Sequence, residues 1–185
     1  MNDLSQFAQS NYLLKYLNYD SGFFIEAGAN DGLKFSNTYL FESEKKWKGL
    51  LVEPNYNQYI ECKKNRPNSI VENYALVGKD FKKDYVRGSF DSGPLSLTAR
   101  VIDINQETIT QNYLREIFIH LKQRKLVKVK AITLDGLLSK HKIRDIDLLY
   151  LDTEGLDSIE AEPFYNWSIS ALRSLTASTR TATML

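Results

Sequence analysis

Three short apolar runs in this sequence end in acidic residues, and these acids are its first sign of chemistry. Phe23-Phe24-Ile25 leads into Glu26-Ala27-Gly28-Ala29-Asn30-Asp31-Gly32. Gly49-Leu50-Leu51-Val52 leads into Glu53-Pro54, and Ile146–Leu151 leads into Asp152-Thr153-Glu154-Gly155. Carboxylates in such places accept hydroxyl or ammonium donors, or hold a hard cation. Gly28 and Gly32 permit a tight turn and a close approach of backbone to a ligand. A loop of this kind that feeds a helix also presents free N–H groups to an anion.

The elements that must carry these residues follow from the hydropathy pattern. Short apolar runs bounded by glycine suit strands buried on both faces of a parallel sheet. The pattern predicts an N-terminal helix over 4–17, a strand at Phe23-Phe24-Ile25 that ends in Glu26-Ala27-Gly28 and a helix over 36–46 opened by Ser36 as a cap. It then predicts a strand at 49–53 stopped by Pro54, a helix over 55–65 and a strand at 69–72. Residues 79–130 interrupt the alternation with a loop at 88–94 and an amphipathic helix at 110–125. Val127–Leu134 predicts a strand, Leu134–Leu138 begins a helix, and 146–151 is a further strand. This order predicts an α/β fold with right-handed crossovers, a mostly parallel sheet flanked by helices.

In such a sheet, ligands bind beyond the carboxyl ends of the strands. A nicotinamide dinucleotide site needs G-x-G-x-x-G, and here Asn30 stands where the second glycine belongs. Glu26, two residues before Gly28, would repel a pyrophosphate and attract an ammonium group. A ligand with an amino acid at one end and a nucleoside at the other fits better, which points to S-adenosyl-L-methionine. Glu53 then accepts the ribose hydroxyls. The predicted cofactor-binding set is Glu26, Gly28, Asn30, Gly32, Glu53, Asn73, Ala75 and Asp152, with Asn73 and Ala75 beside the adenine. Asp152 is the candidate catalytic base. Asp152 and Glu154 either face the reacting methyl group and the acceptor, hold a divalent cation, or cap a helix. Ser89, Ser92 and Glu154 are the candidate substrate contacts, the two serines within an acceptor lid at 84–125. His120, His141 and a half-buried Cys62 read as structural or surface residues.

The chain has 185 residues, 43% hydrophobic and 25% charged, which predicts one folded domain over 1–185. Lys and Arg number 24 and Asp and Glu 23, so the chain lacks the basic excess of a general nucleic-acid or membrane-surface binder. A single cysteine excludes an internal disulfide and a multi-cysteine zinc site, and suits a reducing compartment. No membrane span and no signal peptide are legible, so a cytoplasmic protein is expected. From Ser168 to Leu185, 8 of 18 residues are Ser or Thr and none is acidic, a change from the rest of the chain.

Six separated motifs, in order, resemble the FkbM-type methyltransferases over residues 22–157. They are Phe24–Gly32, Ser36-Asn37-Thr38, Trp47–Pro54, Asn65-Arg66, Ile132-Thr133-Leu134-Asp135 and Ile146–Gly155. The resemblance implies a Rossmann-like, class I methyltransferase that uses S-adenosyl-L-methionine. It implies O-methylation of a hydroxyl on a sugar or other small molecule. It would place Glu26 and Gly28 on the methionine part, Glu53 on the ribose and Asp152 by cofactor and acceptor. Residues 158–185 depart from the family's pattern. The alternative reading is therefore a catalytically impaired cofactor-binding remnant with an altered C-terminus.

Overall fold

The structure is a computed structural model, and it describes residues 9–89, 100–101 and 127–151. Four strands form an all-parallel sheet: β1 (Phe23–Ala27), β2 (Lys48–Val52), β3 (Ile70–Glu72) and, late in the chain, a strand at Leu148–Leu151. A second four-stranded sheet contains β4 (Ala75–Val77), β5 (Tyr85–Ser89), β6 (Arg100–Val101) and β7 (Val127–Thr133). The late strand is therefore β8. Its sheet has the order β3-β2-β1-β8, so the chain leaves β1 toward β2 on one side and returns on the other. That reversal beside β1 is where an open parallel sheet makes its ligand crevice. The parallel α/β architecture expected from the sequence is present, with a second, mixed sheet of order β4-β7-β5-β6.

Alternation along the strands divides the core in two. Phe24, Leu51 and Val71 face one side, where they pack with Leu17, Phe41, Trp47 and Cys62. That side carries α1 (Gln9–Leu13), α2 (Tyr39–Lys45) and α3 (Tyr56–Asn65). Ile25, Leu50 and Val52 face the other side, against Leu76 and against Leu134 and Leu137 of α4 (Leu134–His141). Each fully buried side chain of this size contributes roughly 1.5–3 kcal/mol over its exposed form.

Local chemistry sets the helix ends. Asn55 caps α3, its Oδ1 accepting from the backbone N–H groups of Asn57 (3.0 Å) and Gln58 (3.4 Å). Thr133 caps α4 through the Gly136 N–H (3.1 Å), and Lys142 closes it in the left-handed region at φ 54°. Asp147 ties the start of β8 to β1, accepting from the Phe23 N–H (2.8 Å) and the Tyr19 hydroxyl (2.8 Å).

Several elements differ from expectation for physical reasons. The N-terminal helix ends at Leu13 rather than at residue 17. The second helix begins at Tyr39, because Ser36 and Thr38 turn their hydroxyls to Glu26 instead of capping it. Cys62 is fully buried rather than half-buried, and burial pushes its thiol up to about 12 despite the nearby Arg66 charge. Strands β4, β5 and β6 were not anticipated. The expected helix at 110–125 and the Ser/Thr-rich C-terminal run lie outside the described residues. Among the described residues, no helix is long and apolar enough to cross a membrane.

Gly49 lets β2 lie against the ring of Phe24. A Cβ built there would meet that ring at 2.0 Å. Gly49→Ala should therefore cost at least about 1–3 kcal/mol by overpacking. Urea unfolding followed by circular dichroism measures this. An unchanged midpoint would mean the Phe24 ring moves aside freely.

Candidate active site at the carboxyl ends of β1 and β2

The loop after β1 is built around a buried ion cluster. Glu26, the fourth residue of β1, points to the side that carries α2 and α3 and is buried. Its Oε1 accepts the Asn37 backbone N–H (2.9 Å). Its Oε2 accepts the hydroxyls of Ser36 (2.9 Å) and Thr38 (2.5 Å). Arg66, fully buried just past α3, stands behind them with Nη1 3.9 Å from Glu26 Oε2. Its Nε donates to Glu42 Oε2 (2.7 Å), and its Nη1 to the Gly32 carbonyl (2.9 Å) and Ser36 Oγ (3.1 Å). Its Nη2 donates to Thr38 Oγ1 (3.1 Å). The guanidinium also lies 5.3 Å from the ring centre of Phe24 and 5.6 Å from that of Tyr39. A buried arginine is tolerable only when its donors are met in this way.

The cluster shapes residues 28–38. Gly28 (φ 82°), Asn30 (φ 50°), Gly32 (φ 80°) and Phe35 (φ 62°) all take positive φ. Gly32 is needed for packing as well as for conformation. A Cβ there would meet Arg66 Cγ at 2.7 Å and Cys62 Sγ at 2.9 Å. Asp31 Oδ1 accepts the N–H groups of Leu33 (3.0 Å) and Lys34 (2.7 Å), and Asn65 Nδ2 donates to the Asp31 carbonyl (2.8 Å). Asn37 Nδ2 donates to the Phe35 carbonyl (3.3 Å), while its Oδ1 is buried with no hydrogen-bond partner.

The second acid, Glu53, sits one residue past β2. Its Oε2 accepts the Asn30 N–H (2.8 Å) and its Oε1 the Asn55 N–H (2.8 Å). Burial raises its carboxyl to about 7, although both N–H donors pull the other way. Each oxygen keeps one lone-pair direction for a further donor. The loop after β1 and the end of β2 are thereby joined, since Gly28 and Ala29 also donate their N–H groups to the Val52 carbonyl (2.9 and 3.2 Å).

The other expected site residues are placed differently. Asn73 follows β3 and spends its amide on the carbonyls of Glu53 (2.7 Å) and Pro54 (3.0 Å). Ala75 opens β4 and is buried with Val77, Val86 and Val129. Ser89 ends β5. The last described residue of β8, Leu151, pairs with Ala27 at the mouth of the crevice. Asp152, Glu154, Ser92 and His120 lie outside the described residues. His141 Nε2 is 2.7 Å from Glu72 Oε1, which also receives Lys140 Nζ (2.7 Å). The sequence reading therefore brought Glu26, Gly28, Asn30, Gly32 and Glu53 to one place. It assigned no role to Arg66 or Glu42, because their partnership joins segments far apart in the chain. The flanking Lys63-Lys64-Asn65 and Pro67-Asn68 are polar or exposed and give no sign that Arg66 is buried.

Replacing Arg66 with methionine keeps much of the volume and removes the charge. Glu26 and Glu42 would then be buried without their cation, a loss of about 3–5 kcal/mol. Chemical unfolding should show that loss. A change within about 0.5 kcal/mol, typical of surface substitutions, would show that the cluster does not hold the loop.

Comparison with curated proteins and with solved structures gives no match. A family model does match, the methyltransferase FkbM domain, over residues 26–158. That span opens on the carboxylate that anchors the loop and runs past the end of β8, so it takes in the whole crevice. The chain belongs to the FkbM methyltransferase family.

Proposed function

We propose that the protein is an S-adenosyl-L-methionine-dependent methyltransferase that methylates a hydroxyl oxygen of a sugar or other small molecule. The observation that carries this reading is Glu53. Its carboxylate is buried and fixed by two backbone N–H groups, and it has one acceptor direction free on each oxygen. Two free acceptor directions fit the two hydroxyls of a ribose.

The rest of the loop supports the methionine end. Glu26 gives three acceptor directions to Ser36, Asn37 and Thr38 and so shapes the segment, while its Oε1, with one donor, keeps a direction for an ammonium group. The unpartnered Asn37 Oδ1 beside it is a second acceptor we assign to that group. Gly28 and Asn30 bring the loop backbone to the crevice. When bound, the donor supplies a methyl group activated by the positive sulfur. The protein's main task is then to hold an acceptor hydroxyl in line, a contribution of up to about 7–11 kcal/mol. Asp152, the residue after β8, is the base we assign to the hydroxyl proton, with Ser89, Ser92 and Glu154 toward the acceptor.

A second reading rests on the family match ending at residue 158, before the Ser/Thr-rich run. A protein that binds the donor without transferring its methyl group would fit that boundary. Transfer of labelled methyl to any hydroxyl acceptor excludes it.

Two tests follow from Glu53. Glu53→Ala should weaken donor binding at least about tenfold, since charge-assisted hydrogen bonds contribute about 1.5–3 kcal/mol. Unchanged affinity would remove Glu53 from the site. Binding should also depend on pH, because ribose hydroxyls donate to the ionised carboxylate. With Glu53 titrating at about 7, affinity should rise as pH passes upward through 7 and level off above it. The same raised value makes the ligand-free protein less stable as pH rises from the ordinary 4.5 toward 7, a cost that bound donors offset. Affinity that falls over this range would contradict the assignment.

A further inference from the structure

The antiparallel pair β5–β7 has two unlike faces. Val86 and Val129 are buried on one of them. Alternation puts Tyr85, Arg87, Lys128 and Lys130 on the other, and all four are exposed. The register sets Tyr85 opposite Lys130 and Arg87 opposite Lys128. The Lys128 ammonium lies 4.0 Å from the centre of the Tyr85 ring, which confirms that these side chains share a face. Asp84, the nearest acid in sequence, stands one position before β5 and so alternates to the other side. Among the described residues, no carboxylate pairs with Arg87, Lys128 or Lys130.

Two like charges directly opposite each other on a sheet are destabilising. Here the Arg87–Lys128 pair is left without a described counter-charge, beside a third cation. An anionic ligand would relieve that repulsion. The two register pairs lie about 7 Å apart along the strands, a span for one or two charged groups. That is far short of the roughly 6–10 phosphate contacts of a nucleic-acid binder. It is also fewer than the clusters of about 4–8 cations that dock a protein on anionic lipid. Tyr85 adds an apolar ring with a polar tip, a surface suited to a sugar ring.

The strands that carry the patch connect to the proposed site. The Tyr85–Lys130 pair is one step along β7 from Ala131, which pairs with Ala75 at the start of β4. Asn73, two residues before Ala75, is tied to the Glu53 and Pro54 carbonyls. The strand pair that bears the cationic face is therefore linked through the backbone to the strand ends that hold Glu53.

We propose that the face bearing Tyr85, Arg87, Lys128 and Lys130 binds the methyl acceptor, and that this acceptor is an acidic saccharide. The inference rests on the methyl-transfer reading, because it names the acceptor for that reaction. The test uses the full chain and, as probe, a short oligomer of galacturonic acid, titrated calorimetrically. Saturable binding that weakens with added salt is expected. The Arg87→Ala, Lys128→Ala double variant should bind at least about tenfold more weakly, since it loses two charge-assisted contacts. A neutral galactose oligomer of the same length should bind at least as weakly as the variant binds the acidic one. The variant should melt close to the parent, because the like-charge opposition and the Lys128–Tyr85 contact that it removes act in opposite directions.

Equal binding by parent and variant, equal binding of the neutral oligomer, or tighter binding of single-stranded RNA or anionic vesicles through these residues would overturn the proposal. Titration of the same samples with S-adenosylmethionine separates this from the reading beneath it. Donor binding without saccharide binding overturns the proposal and leaves the methyl-transfer reading standing. Saccharide binding without donor binding overturns that reading and supports a saccharide site on β5–β7.

Discussion

The buried guanidinium of Arg66 is the constraint on which the crevice depends. It meets Glu42 and Thr38 at either end of the turn into α2, Gly32 in the loop and, across 3.9 Å, Glu26 of β1. Arg66 thus ties the segment from Glu26 to Glu42 to the end of α3 through one charge centre. A buried pair of this kind adds little net stability over an apolar replacement, yet removing one partner is costly. Its effect is geometric. It holds a segment in which Gly28, Asn30, Gly32 and Phe35 take positive φ, a path that no helix or strand would produce.

The two acids at the ends of β1 and β2 look alike in the sequence and differ in the fold. Glu26 gives three of its four acceptor directions to hydroxyls and an N–H of the segment it organises. Glu53 is held by two N–H groups and retains acceptor capacity at the crevice. The raised carboxyl of Glu53 reflects this incomplete satisfaction, since burial outweighs its two hydrogen bonds. Both carboxylates hold the loop, Glu26 through residues 36–38 and Glu53 through Asn30.

Much of the first sheet was legible because its strands are uninterrupted apolar runs with a glycine or an acid at their ends. Pro54 marked the stop of β2, because proline has no N–H for the ladder. The second sheet was harder to read. β4 has three residues and β6 two, too few to show a period, and β5 interleaves Tyr85 and Arg87 with Val86 on a charged background. At the site, residue type and spacing identified the glycine loop and Glu53. They did not show that Glu26 also anchors the loop, because that depends on Ser36, Thr38 and Arg66, which meet it only in three dimensions. Ser36 looked like a helix cap for the same reason, until a stronger acceptor was brought beside it.

The most direct test of the account is a calorimetric titration of the intact protein with S-adenosylmethionine above pH 7, where Glu53 is ionised. Saturable one-to-one binding, not displaced by a nicotinamide dinucleotide, is the result expected of a crevice with Glu53 at its edge. A folded protein that gives no binding heat, or one that binds the dinucleotide instead, would contradict it.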